Sequence, residues 1–258
     1  MLLKANNISK SFGGIHAVAD VSFEVGRGEI VGLIGPNGAG KTTIFNLLTG
    51  FTPLDKGEIL FNGKNITGLQ PDRIAHEGLV RTFQSTEYLY FGYSVFENIL
   101  MARHILFKKG ILSHLLRSSA AKQEETQIEK EALESLDFVG LNGEENSLAE
   151  NLPHGKQRVL GVAIGLSTKP QLLLLDEPMT GMNPHETAFM TEVVNKIREK
   201  GITVMMIEHD MRSVMKICDR IVVVNFGKKI CEGDSRSVRE NPDVIEAYLG
   251  KKNGTHTN

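Results

Sequence analysis

The run Gly35-Pro36-Asn37-Gly38-Ala39-Gly40-Lys41-Thr42 sets Gly35 and Gly40 with four residues between them and closes on a lysine and a hydroxyl. That spacing, G-x-x-x-x-G-K-[ST], suits a phosphate. Glycines let backbone N–H groups turn inward around the anion, and the N-terminus of a following helix adds favourable partial charge. Lys41 has the reach to meet β- and γ-phosphates, and the Thr42 hydroxyl can ligate Mg²⁺. A second constellation is Leu172-Leu173-Leu174-Leu175-Asp176-Glu177, an apolar run ending in two carboxylates. Asp176 can hold Mg²⁺ directly or through water, and Glu177, one step on, can polarise an attacking water. Adjacent acids at a strand end are commonplace; paired with a phosphate loop they acquire a task. His209 follows the apolar run that ends at Ile207-Glu208, where it can contact a γ-phosphate. Gln84, after "LVRTF", offers an amide suited to ligating Mg²⁺ or orienting water.

These side chains meet only if the elements carrying them share one sheet edge. Ile30–Ile34 reads as a strand and Thr42–Leu48 as a helix, the setting that the phosphate loop needs. Val21–Val25 and Glu29–Ile34 read as strands broken by Gly26 and Gly28, and Gly57–Phe61 enters a tight turn at Asn62-Gly63. From about Val95 to Gly140 the pattern is helical, and its middle, "RHILFKKGILSHLLRSSAAK", is basic and apolar. That stretch reads as a solvated amphipathic helix, with a docking surface as the alternative. After Gly155 come a helix-like run, a strand at Gln171–Leu175, a helix at Asn183–Lys200, and strands at Ile202–Ile207 and Arg220–Val224. Alternating strands and helices imply parallel pairing with crossover helices.

The chain has 258 residues, 41% hydrophobic and 23% charged, the make-up of a soluble globular protein able to bury a real core. A net charge of −2 provides no basic field for nucleic acid. Two cysteines, Cys218 and Cys231, fit a reduced compartment better than a disulfide framework. The opening "MLLKANNISKSF" lacks the apolar core of a secretory signal, and no apolar run approaches the ~20 residues of a membrane span. Any membrane role is therefore expected to be peripheral. The final "KKNGTHTN" is polar and expected to fray.

In this order the motifs resemble those of the ATP-binding-cassette (ABC) ATPases, and the resemblance covers nearly the whole chain. It implies an α/β fold: a P-loop NTPase core of the ABC type with an antiparallel β subdomain and a helical subdomain insertion. It implies one domain over 1–258, with roughly 1–84 and 165–258 forming the core and β subdomain and roughly 85–164 the helical, signature-bearing part. Gly35, Pro36, Asn37, Gly38, Ala39, Gly40, Lys41, Thr42 and Thr43 correspond to the ATP-binding Walker A segment, and Asp176 to the Walker B aspartate that holds Mg²⁺. Glu177 matches the catalytic glutamate, Gln84 the Q-loop, His209 the switch histidine, and Phe12 the aromatic that stacks on adenine. Thr180-Gly181-Met182-Asn183 occupies the D-loop position, with Asn183 in place of the usual aspartate. The stretches "LVRTFQ", "VFENIL", "GMNPHET", "IEHDMRSVMKICDRIVVVNFG" and "RENPDVIEAYLG" resemble the LivG-type ATPase subunit of branched-chain amino-acid importers.

The resemblance implies an ATPase on the inner face of the cell membrane, with ATP and Mg²⁺ as cofactors. Its partners would be two transmembrane permease subunits and a second ABC ATPase, with a solute-binding protein engaged indirectly and no nucleic acid. Urea or short-amide import and lipid or lipopolysaccharide export are alternatives. A soluble, non-transport ABC module would call for paired cassettes, coiled coils or a basic arm, none of which is present.

One segment departs from the family pattern. The signature turn, usually Leu-Ser-Gly-Gly-Gln, caps the γ-phosphate held by the opposite subunit. Here it reads Leu152-Pro153-His154-Gly155-Lys156-Gln157, keeping Leu152 and Gly155. Pro153 supplies neither a hydroxyl nor a backbone N–H. Losing one bond to a charged phosphate costs about 1.5–3 kcal/mol, roughly ten- to a hundredfold in rate if felt in the transition state. Gly155, the helix N-terminus and the charges of Lys156 or Arg158 are left to compensate, so a weakened but usable site is expected, belonging to the partner's nucleotide.

Overall fold

Two sheets organise the chain, and the computed structural model describes residues 1–82, 89–103 and 119–249. The first sheet is antiparallel: β1 (Leu3–Phe12), β2 (Ile15–Val25), β4 (Lys56–Phe61) and β5 (Lys64–Asn65) lie in the order β2-β1-β4-β5. Asn62 (φ 52°) and Gly63 (φ 78°) close the β4–β5 hairpin with both central residues left-handed, as the Asn-Gly pair predicts. β1 has no counterpart among the strands expected from the sequence, and β2 extends well before Val21. The reason is physical. Register shifts interrupt the β1–β2 pairing three times, and Asn7 (φ 48°) and Asp20 (φ 58°) are left-handed, so the alternation that identifies a strand is lost.

The second sheet contains β3 (Ile30–Ile34), β6 (Leu79–Arg81), β7 (Leu172–Asp176), β8 (Thr203–Ile207), β9 (Arg220–Asn225) and β10 (Lys228–Gly233), ordered β10-β9-β3-β8-β7-β6. Its pairings are parallel, except that β10 runs antiparallel to β9. Both faces are covered. Leu173 and Leu175 enter one hydrophobic core while Leu172 and Leu174 enter the other, and Val204/Met206 and Met205/Ile207 divide the same way on β8. A strand buried on both faces reads as a continuous apolar run rather than an alternating one.

Helix α1 (Lys41–Leu48) follows β3, and α2 (Pro71–Glu77) precedes β6. Helices α3 (Val95–Arg103), α4 (Ser119–Phe138) and α5 (His154–Ser167) pack on one another through Val95, Ile99, Ala132, Leu136, Val159 and Leu160. Among the described residues no helix is long and apolar enough to cross a membrane.

The basic segment that begins at Arg103 does not open as a solvated face. Arg103 is 2% exposed, donates to the Ser167 carbonyl at 2.8 Å and pairs with Glu131 on α4. Lys169 reaches the same carboxylate at 2.8 Å, and Gln127 donates to it at 2.7 Å. Partial burial pushes Glu131 upward, but Lys169, Gln127 and Arg103 outweigh it and hold the carboxyl at about 2. Residues 104–118 lie outside the described residues.

Candidate nucleotide site

Parallel pairing carries the chemistry to one edge. Leu33 on β3 is level with Ile207 on β8, and Ile207 is level with Asp176 on β7. The phosphate loop, the Asp176-Glu177 pair and His209 therefore leave neighbouring strands at the same carboxyl edge, where open α/β sheets bind ligands.

The loop's two key glycines are required by close packing as much as by curvature. A Cβ on Gly35 would lie 2.1 Å from the Val224 carbonyl, and one on Gly40 (φ 102°) would lie 2.4 Å from that of Ala17. No side chain fits either position. Gly40 caps α1, so the first helical N–H groups open toward the loop. Lys41 is 6% exposed and its ammonium donates to Gly35 O at 2.7 Å and Pro36 O at 3.0 Å, holding the charge across the loop. Burial depresses its pKa, while Glu177 and Asp176 pull the other way. Thr42 is exposed at the mouth and Thr43 half-buried behind it.

Asp176 ends β7 with its side chain 1% exposed. Its Oδ2 accepts from Arg81 at 2.6 Å, and Arg81 in turn donates to Asn46 at 2.6 Å. Oδ1 is buried with no partner. A buried acceptor left open is costly unless something fills it, and an oxygen ligand beside a phosphate loop suits a hard cation such as Mg²⁺. Burial raises the Asp176 pKa, with Arg81 working against it.

Glu177 sits at φ 50°, a conformation uncommon for a residue with a side chain. The turn aims its carboxylate at the site rather than along the strand. Oε1 is hydrogen-bonded to His209 Nε2, and Oε2 accepts from Thr180 at 3.3 Å. Behind them Glu208, 2% exposed, accepts from the Met179 N–H at 2.7 Å and the His209 N–H at 3.2 Å. Burial raises the Glu208 pKa against those two bonds. Glu208 thus ties the segment after β7 to the segment after β8 and fixes the distance between Glu177 and His209. Sequence reading missed Arg81, Asn46 and Glu208 as site residues; the only signal available was that Glu208 directly precedes His209.

Phe12 is 49% exposed at the end of β1, with the Lys10 ammonium 5.5 Å from its ring centroid. It is therefore an open platform and not a core aromatic. Gln84 lies outside the described residues.

The signature turn is built differently from a phosphate-facing row. Leu152 is buried, Pro153 caps α5 with no side-chain bond, and His154 is exposed, with its ring edge against Gly181. A Cβ on Gly155 would come 2.4 Å from Glu186 Oε1. That carboxylate belongs to a capping box: Asn183 Oδ1 accepts from the N–H groups of His185 (2.9 Å) and Glu186 (3.0 Å), and Glu186 accepts from the Asn183 N–H at 2.9 Å. Asn183 thus starts α6 (Pro184–Glu199), and the D-loop and the signature turn touch through it. Lys156 pairs with Glu144 at 2.5 Å, and Gln157 donates to the Ala149 carbonyl at 3.2 Å, so both serve the turn itself. Arg158 has buried Nε and Nη1 atoms without partners. Burial depresses its pKa, and Glu177, Glu208 and Asp176 oppose that; its charge belongs with this chain's own acids.

This arrangement can cradle a polyphosphate, hold a cation at Asp176 and position a water at Glu177. Comparison with known proteins bears on which reaction that serves. The ABC transporter family profile matches residues 18–180. A branched-chain amino acid ATP-binding cassette transporter profile matches residues 228–252. The chain is 44% identical to the high-affinity branched-chain amino acid transport ATP-binding protein LivG of Salmonella typhimurium, over 97% of this chain and 98% of that protein. It is 41% identical to the corresponding protein BraF of Pseudomonas aeruginosa, over 97% and 98%. Among solved structures, a nucleotide-free ATP-binding cassette from an ABC transporter matches with a TM-score of 0.84 at 32% identity, covering 97% of this chain and 99% of that one.

Proposed function

This chain belongs to the ABC transporter ATP-binding family, and from that membership we propose that it powers an importer of branched-chain amino acids. The observation that carries the solute is the profile match at residues 228–252, which lies outside the catalytic minimum and is specific to branched-chain systems. We assign it two transmembrane permeases, a second cassette and a place on the inner face of the membrane, with a solute-binding protein engaged through the permeases. Tyr90 and Tyr93, an exposed edge-to-face pair with centroids 5.9 Å apart, lie just after the segment holding Gln84 and offer an aromatic face to a permease.

In this reading the core comprises roughly 1–84 and 165–258, and 85–164 carries the signature. Phe12 takes the adenine face, while the loop from Gly35 to Thr43 surrounds the phosphates. Mg²⁺, when bound, neutralises charge between the terminal phosphates, and Asp176, Thr42 and Gln84 are the residues that would hold it. Glu177 accepts the proton of an attacking water once its carboxylate parts from His209. His209 then meets the γ-phosphate, and Lys41 offsets charge on the leaving oxygens.

The test is uptake. Cells lacking this chain are expected to lose transport of labelled leucine, isoleucine and valine, and wild type restores it. Lys41→Ala fails because nucleotide no longer binds. Glu177→Gln binds nucleotide but loses about 10²-fold or more of its turnover. Intact branched-chain uptake with loss of urea uptake would reassign the solute, and retained turnover in Glu177→Gln would remove Glu177 as the base.

A further inference from the structure

A cavity of about 620 Å³ lies away from the nucleotide, between helix α7 (Met211–Ile217) and the C-terminal helices α8 (Ser235–Glu240) and α9 (Pro242–Leu249). Its walls are hydrocarbon: Met211 and Met215 from one side, Val244 and Ile245 from the other. Three cations and Tyr248 complete the lining, and among the described residues no carboxylate joins it. Arg212 feels Asp210, the residue that caps α7. Lys216 and Arg239 are exposed at the rim and have no ion pair or side-chain hydrogen bond among the described residues. An apolar floor under uncompensated positive charge is complementary to a hydrocarbon body with one negative end. A free amino acid fits poorly, because its ammonium would add positive charge where no acceptor lines the wall. The chain's own tail, "GKKNGTHTN", is polar and cationic and fits no better.

Both walls lead to the nucleotide site. Helix α7 starts two residues after His209. On α9, the Tyr248 hydroxyl faces the backbone of Gly35, the first glycine of the phosphate loop. Asp243, Glu246 and Ala247 of the same helix face Pro36–Ala39 across a cleft. A molecule wedged between α7 and α9 therefore braces the switch histidine's segment against the phosphate loop.

We propose that this cavity binds a small apolar monocarboxylate, and that its occupancy is read at the nucleotide site through Tyr248 and the segment from His209 to Met211. The proposal does not depend on which solute is transported. Branched 2-oxo acids and medium-chain fatty acids share the required chemistry, so both are tested.

Calorimetric titration of the full chain with 4-methyl-2-oxopentanoate and with octanoate is expected to give saturable binding by at least one, with Kd on the order of 0.1–1 mM for so few heavy atoms. Whichever acid binds names the source. Octanol and leucine should bind about tenfold more weakly or worse, and the double change Lys216→Glu/Arg239→Glu should lower acid affinity about tenfold while leaving basal ATP turnover unchanged. Bound acid should shift ATP affinity about fivefold, and ATP must shift acid affinity by the same factor. Tyr248→Phe should keep acid binding and lose that linkage. Equal binding of acid and alcohol, or charge reversal without effect, would overturn the site; binding without linkage would overturn its coupling. No binding by either acid, together with concentration-dependent dimerisation lost in the charge-reversed variant, would give the groove to a second copy of the chain.

Discussion

Pro153 precedes the first turn of α5 with φ −54° and ψ 147°, extended backbone in which a serine would aim its hydroxyl at the helix's own N–H groups. The helix has no side-chain cap there, and a serine cap adds about 1 kcal/mol. Proline offsets roughly 0.4–1 kcal/mol of that by restricting the unfolded chain. Pro153→Ser should therefore leave the urea midpoint nearly unchanged. What it restores is a hydroxyl and an N–H at the position proposed to face the partner's nucleotide, so turnover at that site should rise about ten- to a hundredfold. Stopped-flow phosphate release from dimers in which only that site can turn over would measure it, and an unchanged rate would mean that the phosphate is not read at 153. The sequence presents Gly155 as a phosphate donor, yet the Glu186 carboxylate fills the space a Cβ would take, so capping α6 is sufficient reason for glycine there.

At the scale of elements, the Arg103–Glu131–Lys169 cluster joins α3 and α4 to the end of α5 and the turn before β7. Glu131 titrates at about 2 in the fold against an ordinary 4.5, so its stabilisation is fully present above pH 4.5 and fades as pH falls toward 2. Glu131→Gln leaves Arg103 buried without its countercharge and should cost on the order of 3 kcal/mol at pH 7. The gap from wild type in urea midpoints should shrink as pH drops from 4.5 toward 2; a gap independent of pH would mean the loss is packing alone. None of this cluster was legible in the sequence, where Arg103 heads a basic stretch and Glu131 sits in a run of ordinary surface-helix residues. Periodicity reports which face is apolar, not which cation is folded inward. The strands of the parallel sheet were legible because burial on both faces leaves unbroken runs such as Leu172–Leu175. The strand Leu3–Phe12 was not, because its bulges erase the alternation. The phosphate-loop pattern was legible for a further reason: its glycines and Lys41 lie in one contiguous stretch of the chain, although the Val224 and Ala17 carbonyls that press on Gly35 and Gly40 were not legible. The roles of Arg81 and Glu208 depend on strand register and were not.

For the whole molecule, the proposed mixed dimer would build each of its two nucleotide sites from both chains. This subunit's own site has Lys41 on its loop carbonyls, Asp176 with an open oxygen, and Glu177 in contact with His209. The turn that would face the opposite nucleotide on this proposal has a proline with no side-chain cap bond at 153, and its Lys156 and Gln157 are tied to Glu144 and Ala149. On that proposal, competence and deficiency fall at different sites. Beside a related cassette with an ordinary signature, the nucleotide held by this chain should be hydrolysed about ten- to a hundredfold faster than the one held by its partner. A homodimer, with the altered turn at both sites, should be slow at both. Mixed dimers carrying the glutamate-to-glutamine change in one subunit at a time separate the contributions. Glu177→Gln in this chain should remove most of the turnover, and the equivalent change in the partner only a minor part. Equal losses would place the two sites on the same footing, and Pro153 would then be a tolerated residue of the turn with no part in setting the rate.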